Sequence, residues 1–88
     1  MDRLILFASP TRMGKITVYK DDAVKEVVAV TAKDLPAVAI TLAKQYKIKC
    51  IDITGPINYT KKIGEELAHL NKTQYKKMQL SIEYVKGV

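Results

Sequence analysis

The residues best suited to chemistry follow one apolar strand near the middle of the chain. The segment Lys47–Gly64 predicts a buried strand, a sharp turn at Thr54-Gly55-Pro56 and the start of a helix. In open α/β sheets, ligands bind outside the carboxyl ends of strands and beside helix N-termini. Asp52 in the strand offers a carboxylate, and Asn58 after the turn is a good N-cap. We therefore expect any site to lie at this turn.

Metal-dependent hydrolysis needs more acids than this segment supplies. Two divalent ions require several converging carboxylates, which Asp52 alone cannot provide. Asp2 stands at the wrong end of the first strand, and His69 and Cys50 are the only residues of their types. We therefore expect no catalytic residue, no metal and no cofactor. Asp52 is interpreted instead as a polar residue at the exposed edge of a strand or as a cap of the adjoining turn.

Binding of an anion is the second chemistry that the pattern allows. Basic side chains flank the Gly55 turn and the first hairpin loop, where backbone N–H groups could also hold a phosphate or nucleic acid. The candidate residues are Arg12, Lys15, Gly55, Asn58, Lys61 and Lys62. A second basic group, Lys72, Lys76 and Lys77, is expected at the opposite end of the sheet, and Tyr59 and Tyr75 could stack on bases. An ordinary solvated hairpin remains the alternative for the first loop.

The composition predicts one small, soluble domain. The 88 residues are 48% hydrophobic, which is too apolar for a disordered chain and enough for one core. No apolar run is long enough to span a membrane, and Leu4–Ala8 is too short for the core of a secretion signal. We therefore expect a cytoplasmic protein. The net charge of +6 favours nucleic acid or acidic partners, or simply maintains solubility.

Hydrophobic periodicity predicts the element order β-β-β-α-β-α-β. The predicted strands are Arg3–Ser9, Lys15–Lys20, Val24–Val30, Ile48–Thr54 and Met78–Val85, and the predicted helices are Leu35–Tyr46 and Tyr59–Leu70. The first strand is apolar at every position from Leu4 to Ala8, which predicts a central strand covered on both faces. Gly64 inside the second helix predicts close packing on the sheet.

These elements predict a single α/β domain, residues 1–88, with a five-stranded mixed sheet. Three antiparallel strands are followed by two helical crossovers to parallel strands, which gives the strand order 3-2-1-4-5. Strands three and five are then the edges of the sheet. Lys25 and Glu26 fall in strand three, where charge is typical of an exposed edge.

This arrangement resembles the ribonuclease H-like superfamily, the fold of Holliday-junction resolvases and actin-like ATPases. The stretch Leu6–Arg12 has the shape of the resolvases' first strand and turn, with Ser9 where their catalytic Asp would stand. Asp52 matches their second acid. The stretch Gly55–Gly64 is similar to the Gly-Pro-x-x-Phe/Tyr-Thr-x-x-Arg-Ile-Gly segment of the bacterial tRNA threonylcarbamoylation partner protein, which has an actin-like fold. The resemblance implies a degenerate acid site at Ser9 and Asp52.

The sequence thus predicts a small, basic, non-catalytic binding or accessory protein that contacts nucleic acid. The alternative is a protein–protein interaction module, which forms a homodimer through an edge strand or modulates a larger enzyme. By analogy with other short basic chains, such a protein would be encoded by a phage or mobile element. No membrane contact is expected.

Overall fold

A computed structural model describes residues 2–8, 13–73 and 80–86. Within them the chain forms five strands and two helices in the predicted order. The elements are β1 (Arg3–Phe7), β2 (Met13–Lys20), β3 (Ala23–Thr31), α1 (Leu35–Tyr46), β4 (Cys50–Gly55), α2 (Ile57–Thr73) and β5 (Ser81–Lys86).

The five strands form one mixed sheet with the order β3-β2-β1-β4-β5, which confirms the predicted topology. β1 runs antiparallel to β2 and parallel to β4, and β5 runs parallel to β4. β3 and β5 are the edge strands, as predicted. The most apolar strand therefore occupies the middle of the sheet.

Both helices pack on the same face of this sheet. α1 contacts β1, β2 and β3, whereas α2 contacts β4 and β5, and the two helices also contact each other. Side chains alternate between the faces of a strand, so Leu4 and Leu6 of β1 point toward the helices together with their β4 partners Ile51 and Ile53. All four are fully buried. The helices and this face enclose the hydrophobic core.

The opposite face of the sheet carries no helix among the described residues, so the prediction that β1 is covered on both sides is wrong. Ile5 is half-buried on this face and Phe7 is 49% exposed. An apolar run looks the same in sequence whether its second face is buried or open. We call this surface the open face.

The helix boundaries show where local sequence rules hold. α1 has the predicted limits, with Pro36 in its first turn and Lys47 in the left-handed conformation at its C-terminal cap (φ 57°). α2 begins before the predicted Tyr59, because the Pro56 carbonyl oxygen accepts hydrogen bonds from the N–H groups of Tyr59 and Thr60. The prediction of Asn58 as the N-cap is therefore wrong, since Asn58 lies within the first turn.

The strand boundaries differ from the predicted ones by a few residues. β2 begins at Met13 because its pairing with β3 extends to Thr31, and β4 begins at Cys50 rather than Ile48. β5 begins at Ser81 rather than Met78. The predicted ends at Ser9 and Met78 lie outside the described residues.

Hydrogen bonds from side chains join the C-terminal end of α1 to the sheet. The Tyr46 hydroxyl donates to a Glu26 carboxylate oxygen of β3 at 2.8 Å, and Lys20 of β2 donates to the Tyr46 carbonyl oxygen. The hydrogen bond to Glu26 raises the pKa of Tyr46. These bonds join α1 to β2 and β3 at the end of the sheet opposite the start of the helix.

Two glycines permit close approaches that a side chain would obstruct. Gly55 ends β4 with a φ of +137°, and a Cβ there would stand 3.1 Å from the Ala8 carbonyl carbon and closer still to its oxygen. Gly64 of α2 lies beneath Tyr84, whose Cζ atom would be 2.7 Å from an added Cβ. The predicted close packing of Gly64 on the sheet is thus confirmed.

We predict that Gly55→Ala lowers the free energy of unfolding by about 2–4 kcal/mol, because the added Cβ meets backbone at a φ that L-residues avoid. Gly64→Ala is the matched control. Its Cβ meets only the tip of a half-exposed side chain that can rotate away, and alanine gains about 1 kcal/mol of helix propensity. Urea unfolding of both variants measures the difference, and equal midpoints for Gly55→Ala and the native chain would contradict it.

Candidate functional site

The structure brings the ends of three strands together at one edge of the sheet, which we call the carboxyl edge. Phe7 at the end of β1 pairs with Lys15 of β2 and with Thr54 of β4. The Ala8 backbone N–H donates to the Thr54 carbonyl oxygen at 2.8 Å. The expectation that the exits of strands one and four are adjacent is therefore confirmed, and Gly55 lies at this junction.

The first turns of α2 present polar and basic side chains beside this junction. Asn58, Lys61 and Lys62 are exposed, whereas Thr60 and Ile63 between them are buried against the sheet. Lys15 is exposed on the open face near the same edge. Of the predicted anion-binding positions, Lys15 therefore lies on the open face near the carboxyl edge, whereas Asn58, Lys61 and Lys62 lie in the first turns of α2, on the other side of the sheet. Arg12 lies outside the described residues.

The second basic group is only partly described. Lys72 is exposed in the last turn of α2, which returns from the carboxyl edge toward the start of β5. Lys72 therefore lies at the opposite end of the sheet, as expected. Lys76, Lys77 and Tyr75 lie outside the described residues, while Tyr59 is 43% exposed in the first turn of α2.

Asp52 has a structural partner that the sequence pattern did not reveal. Its Oδ2 atom accepts a hydrogen bond of 2.8 Å from Nη1 of Arg3, and its side chain is 10% exposed against 38% for that of Arg3. It lies on the open face between Ile5 of β1 and Glu83 of β5. The interpretation of Asp52 as an exposed edge residue or a turn cap is therefore wrong. Ser9, the other predicted acid-site position, lies outside the described residues.

The remaining groups capable of chemistry are dispersed. Among residues 2–8, 13–73 and 80–86, no three His, Cys, Asp or Glu side chains cluster closely enough to hold a metal ion. Cys50 is half-buried on the open face. His69 is exposed one turn before the end of α2, where it lines a shallow groove of about 320 Å³ between the helices with Lys33 and Glu66.

The open face is the largest feature that the sequence interpretation missed. Strand register and alternation place seventeen described residues on it. They are Arg3, Ile5, Phe7, Met13, Lys15, Thr17, Tyr19, Val24, Val27, Ala29, Thr31, Cys50, Asp52, Thr54, Ser81, Glu83 and Val85. The order of the elements could have revealed it. Both crossovers, from β3 to β4 and from β4 to β5, run in the same direction across the sheet, and right-handed crossovers of this kind place their helices on the same face.

Comparison with known proteins adds only a coarse structural likeness. No protein-family model matches the sequence, and no curated protein matches it at a significant level. A search of solved structures finds the Aquifex aeolicus member of the Ppx/GppA protein family, with 13% identity and a TM-score of 0.49. That match covers 98% of this chain and 35% of the other. This chain thus spans about a third of the length of that protein, and the likeness assigns neither a family nor an activity.

A helix that crosses a membrane must be both long and apolar. In the part of the chain that the structure describes, neither helix is long and apolar enough to cross a bilayer.

We predict that Asp52→Asn lowers the free energy of unfolding by about 1 kcal/mol, because it removes a charged hydrogen bond while the half-exposed Arg3 regains water. The matched control is Glu83→Gln on the same face, an exposed carboxylate for which the expected change is within about 0.5 kcal/mol. Urea unfolding of both variants measures the two effects. An equal loss in both would show that the pair with Arg3 has no special role.

Proposed function

We propose that this chain is a non-catalytic binding or accessory protein that docks a second polypeptide on the open face of its sheet. The observation that carries the proposal is the exposure of large apolar side chains on that face. Phe7, Met13, Val24, Val27 and Val85 are each between 44% and 55% exposed. The strand register intersperses them with polar residues such as Lys15, Thr17 and Thr54, and exposed apolar side chains within a polar surround are typical of interaction sites on proteins.

The chemistry of the open face favours a protein over a nucleic acid. Sheets that bind single strands stack bases on aromatic rings and neutralise phosphates with cations. Only Phe7 and Tyr19 supply rings among the described residues of this face, and Tyr19 is half-buried. The remaining apolar residues are mostly β-branched or small, which suits packing against another protein surface.

We predict that Phe7→Glu abolishes capture of the partner, because it places a charge at the centre of the apolar surface. Ile57→Glu is the matched control. Ile57 is 66% exposed in the first turn of α2, outside the open face, where a carboxylate also suits the helix N-terminus. The tagged protein and both variants are used as bait in an extract of the producing cells, and retained chains are identified by mass spectrometry.

The informative result is a chain retained by the native protein and by Ile57→Glu but released by Phe7→Glu. If nothing is released selectively by Phe7→Glu, including a second copy of the chain itself, the proposal fails. Circular dichroism of each variant shows that the fold is retained before capture is compared.

Nucleic-acid binding at the carboxyl edge is the second candidate function. It is supported by the exposure of Lys15 near the carboxyl edge and of Lys61 and Lys62 in the first turns of α2, on a chain with net charge +6. Lysine amines at one edge can neutralise successive phosphates, and Asn58 adds a hydrogen-bonding amide. Lys15 is shared with the open face, whereas Lys61 and Lys62 lie on α2 outside it.

We predict that Lys61→Gln combined with Lys62→Gln weakens binding to a single-stranded oligonucleotide and lowers the salt dependence of log K by about 1.4, or about 0.7 for each phosphate that is no longer neutralised. The control is Lys72→Gln together with Lys33→Gln, which removes the same charge elsewhere on the surface. Fluorescence anisotropy over a series of salt concentrations measures both quantities. Equal slopes for the two double variants would show only a non-specific charge effect, and no binding at low salt would end this candidate.

A further inference from the structure

We propose that the polypeptide docked on the open face is a second copy of the chain, so that two sheets pack face to face across a two-fold axis. This inference rests on the proposed function, since it names the partner of the same surface. It is supported by the size of the face, by its balanced charge and by the positions of Lys15 and Glu83.

The size of the face matches the area that a stable dimer buries. In the arrangement described below four strands of each copy overlap, and four strands about 4.8 Å apart, each about six residues long, give a face of about 19 by 20 Å, or about 380 Å² in projection. Side chains raise the accessible area above this projection, toward the about 800 Å² per partner of a standard interface. A peptide or single helix would cover only a strip of such a surface. A second copy supplies a sheet of equal size, and aligned sheets pack well at about 10 Å.

The charge of the face allows two copies to approach each other. The whole chain carries +6, yet the ionic side chains that register places on the open face are two basic and two acidic. Arg3 and Asp52 already neutralise each other within one copy. Lys15 and Glu83 are the other two. Lys25 lies at the β-bulge of the edge strand β3, opposite Val18 and Tyr19. Two open faces therefore meet without the repulsion that other surfaces of this basic chain would generate.

The positions of Lys15 and Glu83 define one two-fold arrangement. An axis parallel to the strands, between β1 and β4, lays β2 of one copy over β5 of the other, because each of these strands is equally far from that axis. Along the strands, Lys15 is level with Phe7, and Glu83 is level with Asp52 and therefore with Ile5. This offset of two residues, about 7 Å, lies within reach of the two long side chains. The interface would thus contain two equivalent pairs of Lys15 with Glu83 of the partner subunit.

Phe7 and Ile5 would lie at the centre of this interface. β1 of one copy would cover β4 of the other, so the ring of Phe7 would lose its remaining exposure to water. Val27 and Val24 on β3 would lie outside the overlap, because no strand of the partner covers β3 in this arrangement. A homodimer formed through the free edge of β5 would instead leave Phe7, Lys15 and the whole open face exposed.

Charge reversal within the same chain tests the arrangement. Analytical ultracentrifugation of the native chain, from micromolar to millimolar concentration, should show a species of twice the 9.9 kDa protomer mass. Lys15→Glu alone and Glu83→Lys alone should each weaken dimerisation by about tenfold or more, since each creates two like-charged pairs. The double variant K15E/E83K should restore the native dissociation constant. The matched control, Lys33→Glu with Glu65→Lys, reverses the same charges on exposed residues outside the face and should change nothing.

The outcomes separate this inference from the proposed function. A monomer at every concentration, or a dimer that is insensitive to both charge reversal and Phe7→Glu, overturns the face-to-face pair. If the chain is monomeric but captures a different protein that Phe7→Glu releases, the proposed function stands and only the identity of the partner is wrong. If Phe7→Glu changes neither mass nor capture, both fail. Phe7→Thr, a milder change that retains strand propensity, replaces Phe7→Glu if the charged variant does not fold.

Discussion

The packing of both helices on one side of β1 is the constraint on which the rest of this structure depends. β1 lies at the centre of the sheet, and its alternate side chains separate the molecule into two surfaces. Leu4 and Leu6 enter the core beneath α1 and α2, whereas Ile5 and Phe7 face outward. The buried side obtains its stability from apolar burial. In the part of the chain that the structure describes, the other side retains apolar side chains without such cover, and burying them in an association would lower the free energy of the molecule.

The order of the strands follows from signals that are local in the sequence. Alternating apolar residues, the turn at Asp21 and Asp22, and the breaks at Gly55-Pro56 define the elements, and the rule for crossovers limits how they can pair. α1 has its predicted limits because Pro36 suits a first turn and Lys47 adopts a positive φ at the end. The start of α2 differs from the predicted one because the Pro56 carbonyl oxygen accepts the first hydrogen bonds of the helix.

The features that sequence reasoning missed depend on residues far apart in the chain. Arg3 and Asp52 are separated by 49 positions, so nothing near Asp52 in sequence shows that its carboxylate is paired. The open face was missed for a related reason. The run Leu4–Ala8 predicts a buried strand, but only the packing of α1 beside α2 decides which face of that strand is covered. The placement of Lys15 and the Gly55 turn at the same edge of the sheet could be predicted, because it follows from the strand order alone.

The position of Asp52 bears on how the middle of this sheet accommodates a buried carboxylate. The Asp52 carboxylate on β4 is compensated within the fold by the guanidinium of Arg3 on β1. The centre of the sheet can then be covered by protein, since a compensated pair costs less to bury than a lone acid. A chain of 88 residues buries a modest share of its surface and is stabilised little by its own core. Any partner that binds only the folded sheet therefore stabilises the folded state by mass action. The folding equilibrium of this domain is then coupled to its association with the partner.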